Sequence, residues 1–153
     1  MRVAAQVFLA QVEAAFSHSP RLGEKPSDVE RATVMMAEGA NDSQGLIEME
    51  RDDILSLLAD VPSRTWDVQF FETNEHRGTP LSLASWLHAV RYAIVEVAGG
   101  PDLTLHEVSD AAEQLYGVLP SDVEVVFGAV IRAELVGRLQ LRLVAIQPTA
   151  EGD

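Results

Sequence analysis

At 153 residues, 47% apolar and free of cysteine, the chain is long enough for one domain with a real core, and it excludes a disulfide framework, a thiolate nucleophile and a cysteine metal ligand. Eleven basic against 24 acidic residues give a net charge of −13, which argues against nucleic acid or an anionic membrane as partner, since both require clustered Lys and Arg. No apolar run approaches the roughly 20 residues of a membrane-spanning helix.

The N-terminal stretch to Phe16 is interrupted by Gln6, Gln11 and Glu13, so it reads as an amphipathic helix of a mature, cytoplasmic protein and not as an export signal. Within Arg2–Phe16 the helical spacing selects Val3, Val7, Ala10 and Ala14, widened by Phe8, Val12 and Ala15. Ser17–Ser27, with Pro20, Gly23 and Pro26, reads as a linker. Ala32–Ala37 is a short apolar run read as a strand, and Gly39–Ser43 as a turn that can cap the next segment. Gly45–Ala59 places Leu46, Ile47, Met49, Ile54, Leu57 and Leu58 on one helical face. Trp66–Phe71 reads as an extra strand and Glu72–Gly78 as a polar loop. Leu83, Trp86, Leu87 and Val90 lead into the last third of the chain.

That last third carries the densest signals. Ala93, Val95 and Val97 alternate with Tyr92, Ile94 and Glu96, a strand pattern apolar on both faces. Gly99-Gly100-Pro101 breaks it. Thr104 and Glu107 have the spacing of a capping box, behind which Leu105, Val108, Ala111, Ala112 and Leu115 form the expected buried stripe up to a stop at Gly117. Val123–Ile131 is a nearly continuous apolar strand suited to the interior of a sheet. Leu139, Leu141, Leu143 and Ala145 then alternate with Arg138, Gln140 and Arg142. The expected fold is α+β, a two-layer sandwich of a mixed four-stranded sheet with helices in β-α-β-α-β-β order, preceded by an N-terminal helix. The expected division is 1–27 helix and linker, 28–147 sandwich domain with an insertion at 61–78, and 148–153 tail.

Ala98-Gly99-Gly100, Leu103, Leu105, Glu107 and Val108, then Phe127–Ile131, Glu134, Leu135, Gly137, Val144 and Ala145 carry a family resemblance. In this order and spacing they resemble the C-terminal domain of FtsZ, the tubulin-like GTPase of bacterial and archaeal division. The specific motifs span Arg91–Gln147, with a weaker continuation at Thr79-Pro80-Leu81. The family's nucleotide site needs a glycine-rich phosphate loop of the G-G-G-T-G-T-G kind and an acidic N-x-D-x-x-D loop, and the sequence has neither. Gly99-Gly100 falls in the family's structural turn, and Asp28 in SDVE is a lone acid. The resemblance therefore implies a non-enzymatic relative of a filament-forming GTPase, without cofactor or metal. Its implied partner is a protein: a second copy, or a full-length division GTPase whose head-to-tail filaments it would modulate.

Val3, Val7, Phe8, Trp66, Phe70 and Phe71 are the interaction candidates, because aromatic and apolar anchors dominate interface energetics. Glu72, Glu75, His76 and Arg77 form the one polar cluster from which a pocket of a small-molecule-binding protein or enzyme could be built, and this is the alternative reading. Glu48, Glu50, Asp52 and Asp53 read as a solvated acidic face, His106 as a surface residue, and Asp102, Glu107 and Glu134 as capping and turn residues.

Overall fold

The computed structural model describes residues 2–17, 22–41, 45–62 and 65–148. Their centre is a six-stranded sheet in the order β1-β3-β6-β4-β5-β2. The strands are β1 (Arg2–Ala4), β2 (Gly45–Ile47), β3 (Thr65–His76), β4 (Tyr92–Gly99), β5 (Glu124–Ile131) and β6 (Arg138–Pro148), and the helices are α1 (Ala5–Ser17), α2 (Asp28–Asn41), α3 (Arg51–Asp60) and α4 (Leu105–Tyr116). Only β4 and β5 run parallel, joined through α4; every other neighbouring pair is antiparallel. The α+β class with a mixed sheet is as expected. Two short edge strands enlarge the sheet, and helices cover both of its faces.

Alternation along the central strands sends side chains to two different cores. Ile94 of β4, Val144 and Ile146 of β6, and Trp66 and Val68 of β3 pack under α1, α2 and α3 with Phe8, Val12, Met35, Met36 and Ile54. Ala93, Val95 and Val97, with Leu141, Leu143 and Ala145, face the other way onto Val108, Ala111 and Leu115 of α4 and onto Leu87. Leu87 belongs to a short 3₁₀ turn, Ser85–Ala89. Each Val, Leu, Ile, Phe or Met side chain buried on either face contributes about 1.5–3 kcal/mol before the entropy of ordering the chain is subtracted.

Several expectations need correction. Ala32–Ala37 is not a strand but the middle of α2. Ser27 starts this helix: its Oγ accepts the Glu30 N–H at 3.2 Å, the S-x-x-E cap signature. Val29, Ala32, Thr33 and Met36 then fall on the buried side at helical spacing. The helix expected over Gly45–Ala59 is split into β2 and α3, and the one expected from Arg2 starts at Ala5 behind a three-residue strand. Glu72–His76 is not a loop; β3 runs through it to His76, because β6 supplies a ladder partner for every residue from Trp66 onward. Leu105, placed in the buried stripe of α4, is 62% exposed. It is the first residue of α4, and the buried face begins only at Val108. Residues 18–21 of the linker, 42–44 of the capping turn and 149–153 of the tail lie outside the described residues.

Candidate functional site

The least expected feature lies in the middle of β4. Glu96 is 0% exposed, between apolar neighbours Val95 and Val97 on the strand. Its register partners are Gly128 on β5 and Arg142 on β6. One carboxylate oxygen, Oε1, accepts from Arg132 Nη1 at 2.9 Å, Arg142 Nε at 3.0 Å and Arg142 Nη2 at 2.7 Å. Oε2 is buried with no hydrogen-bond partner among the described residues. Arg142 also reaches Glu38 of α2 at 3.5 Å, so two guanidinium groups and two carboxylates balance. Charge-assisted bonds of this kind are strong locally, yet desolvation offsets most of the gain, so a buried cluster fixes geometry more than it adds stability. Here it pins the exit of β5 at Arg132 and the cover helix α2 to one point on the sheet. Gly128 is needed beside it: a Cβ there would stand 3.0 Å from Met49 Cβ.

A second polar hub closes the other face. Gly78, at φ +82°, turns the chain after β3 and leaves Arg77 beside the N-terminus of α4. Arg77 grips Glu107 through Nε at 2.6 Å and Nη2 at 2.7 Å, and also bonds Asp102. Glu107 completes the capping box: it accepts from the Thr104 N–H at 3.1 Å, while the Glu107 N–H donates to Thr104 Oγ1 at 3.2 Å. The hydrogen bond from Arg77 holds the Glu107 carboxyl below the usual carboxylate range against the opposing effect of burial, and the Thr104 bonds act in the same direction as Arg77. Beside the hub a cleft of about 400 Å³ is lined by Thr79, Pro80, Glu107, Asp110, Gln114 and Leu139 among others. Its polar walls are already engaged: Glu107 by Arg77, Asp110 by His106 at 3.4 Å, and Gln114 Oε1 by the Leu81 N–H at 2.7 Å.

The turn Gly99-Gly100 has a packing explanation. A Cβ on Gly99 would meet Leu103 Cδ1 at 2.8 Å, and one on Gly100 would meet the Val136 backbone at 2.9 Å. Close packing is therefore a sufficient reason for both glycines.

The sequence candidates are dispersed. Phe8 and Trp66 are core residues, Trp66 stacking edge-on against Tyr92, so this fold does not present them to a partner. Val7 is 51% exposed. Phe70 and Phe71 are half-buried near an edge of the sheet, Phe71 against Trp86. Val3 is part of β1 and pairs with Trp66. Glu72 and His76 share one face of β3 and Glu75 lies on the other, so they do not converge: Glu75 accepts from Thr73 Oγ1 at 2.9 Å, and the exposed His76 ring lies against Arg138 Nη1 at 3.3 Å. The cleft nearest to them begins at Gly78 and Thr79. Glu48, Glu50, Asp52 and Asp53 are exposed, as is His106. Asp102 and Glu107 have the turn and capping positions expected. Among the described residues no group of three or more His, Cys, Asp or Glu is placed to hold a metal ion, and no helix is long and apolar enough to cross a membrane.

Sequence reasoning missed the Glu96 cluster. The available signal was a lone acid inside an otherwise apolar, doubly buried strand, which demands buried cations somewhere; their identity was not readable, because they come from 36 and 46 residues away.

Residues 79–147 match the model described as the FtsZ family, C-terminal domain. The curated cell division protein FtsZ 1 of Archaeoglobus fulgidus is 33% identical over 52 residues, 34% of this chain and 14% of that protein. Two solved structures, an empty FtsZ dimer and a tryptophan-to-tyrosine FtsZ mutant, both from M. jannaschii, superpose with TM-scores of 0.55 and 0.54 at 17% and 16% identity. Each covers 88% of this chain, which in turn covers 43% and 44% of theirs. The chain thus spans under half the length of the relatives it matches. At such identity the superpositions establish the fold alone; the relation to the FtsZ C-terminal domain rests on the sequence match over 79–147.

Proposed function

We propose that this chain, related through residues 79–147 to the C-terminal domain of FtsZ, is a non-catalytic, cytoplasmic protein–protein interaction module that associates with a division GTPase and modulates its filaments. The match of residues 79–147 to that domain carries the reading. Supporting it, Arg77 with Glu107 and both arginines with Glu96 Oε1 are engaged in internal bonds, and packing accounts for Gly99-Gly100. A module that resembles the C-terminal domain of a filament subunit would dock on a filament end and stop growth there. Val7, Phe70 and Phe71 are the accessible members of the apolar set available for such contacts.

Co-sedimentation with the host's own division GTPase, with and without GTP, tests this. Pelleting only with polymer, together with shorter filaments at equimolar chain, is the expected outcome. Unchanged filament length and GTP turnover would sink it.

A further inference from the structure

The cations of this chain are committed inward, while its anions are left outside. Eleven basic residues, Lys25 the one lysine among them, stand against 24 acidic ones. Arg132 and Arg142 neutralise the buried Glu96. Arg77 holds Glu107 and Asp102, Arg138 bonds Asn74, and Arg51 lies over the Phe16 ring, 5.0 Å from its centroid. The surplus acids are spread over the surface. Glu13 on α1, Glu24 before α2, Glu48 between β2 and α3, Glu113 on α4 and Glu124 on β5 are all exposed. Among the described residues none of these five forms an ion pair. Folding therefore draws together carboxylates that it does not pair, and this cost falls on the whole body and not on one element.

We propose that ionic strength acts as a switch on this fold: the electrolyte around the chain sets its folded population by screening surface carboxylates that the protein does not neutralise itself. The inference goes beyond the filament reading and holds whether or not a filament is bound. A folded chain of this length has a radius of gyration of about 15 Å, against about 41 Å unfolded, so folding concentrates a net charge of −13. The screening length is about 30 Å at 0.01 M salt, longer than the folded radius, so every surface carboxylate repels every other. At 1 M it is about 3 Å, and almost none do. Attractive pairs respond in the opposite sense but weakly. The Glu96 cluster is shielded from solvent and is screened little. The exposed Arg91–Asp122 pair, at 3.5 Å, contributes little at any salt concentration. Repulsion therefore decides the sign, and salt favours the folded state.

Urea denaturation of the unmodified chain, followed by circular dichroism at neutral pH across a sodium chloride series, tests this. Between about 0.01 M and about 0.5 M salt the ratio of folded to unfolded chain should rise at least about a hundredfold, seen as a midpoint moving to higher urea. A second variant separates screening from the general effect of salt on apolar burial, which acts on any sequence. Glu13→Gln, Glu24→Gln, Glu48→Gln, Glu113→Gln and Glu124→Gln combined remove five charges and lower the net charge to about −8. Coulombic self-repulsion grows as the square of the charge, so this variant should be the more stable at low salt. Its salt response, as the logarithm of the folded-to-unfolded ratio, should be less than half that of the parent. A parent midpoint that is constant or falls with salt would overturn the proposal, as would a variant that responds as strongly as the parent. No GTPase polymer enters these measurements, so their failure and the failure of filament co-sedimentation are read independently.

Discussion

Replacing Glu96 by glutamine keeps the shape of the side chain and removes its charge. The interactions that lose their charge are three guanidinium N–H bonds onto one oxygen, at 2.7–3.0 Å, which an amide oxygen accepts only as a neutral group. Hydrogen bonds to charged groups contribute about 1.5–3 kcal/mol each, but these three share an acceptor and are not additive. Breaking a buried ion pair by removing one partner costs about 3–5 kcal/mol, because the other charge is left uncompensated. Arg142 and Arg132 keep 15% and 19% of their side chains exposed, and Arg142 retains Glu38, so both cations can partly rehydrate. The cost should fall at the low end, about 3 kcal/mol. For a domain of this size that lowers Tm by roughly 6–12 °C. Urea denaturation followed by circular dichroism, with an unchanged slope, measures it. A double-mutant cycle with Arg142→Met should show coupling, and Glu96→Met with Arg142→Met should recover part of the loss, since an apolar pair carries no desolvation cost. A loss below about 1 kcal/mol for Glu96→Gln, or strict additivity in the cycle, would refute the view that this carboxylate is anchored by both arginines.

The remaining predictions concern α4 and its approach. Arg77 holds the Glu107 carboxyl low in the folded state, so its contribution is complete above the unfolded value of about 4.3 and fades as pH falls through the lower folded value. Glu107→Gln should accordingly flatten the loss of stability on acidification below about pH 4, which chemical denaturation at several pH values would reveal. Thr104→Ala removes the side chain that caps the Glu107 N–H and should cost about 1 kcal/mol. Gly100→Ala forces a methyl against the Val136 backbone and should cost about 1–3 kcal/mol, whereas Leu105→Gln, at an exposed position, should change stability by no more than about 0.5 kcal/mol. Equal losses in those last two variants, read by thermal melts, would contradict the packing described for the turn.

Those contrasts mark where sequence was sufficient. The capping box, the strand at Tyr92–Gly99, the strand at Glu124–Ile131 and the alternation of β6 were legible because each is decided within a few residues: a cap closes over three positions, and a strand shows its faces every second one. The S-x-x-E start of α2 was equally local and went unread, since the apolar run ATVMMA fits either period when considered alone. Tertiary structure decided what depends on distant partners. The stretch Glu72–His76, polar enough for a loop, became strand because β6 offers it a complete ladder. Leu105 stayed outside because α4 meets the sheet only from Val108 onward. Glu96 is tolerated in the core because Arg132, just past the end of β5, and Arg142 of β6 converge on it. Short-range hydrogen bonds and side-chain period are properties of a segment; charge compensation and the choice between loop and strand belong to the neighbours that folding brings alongside.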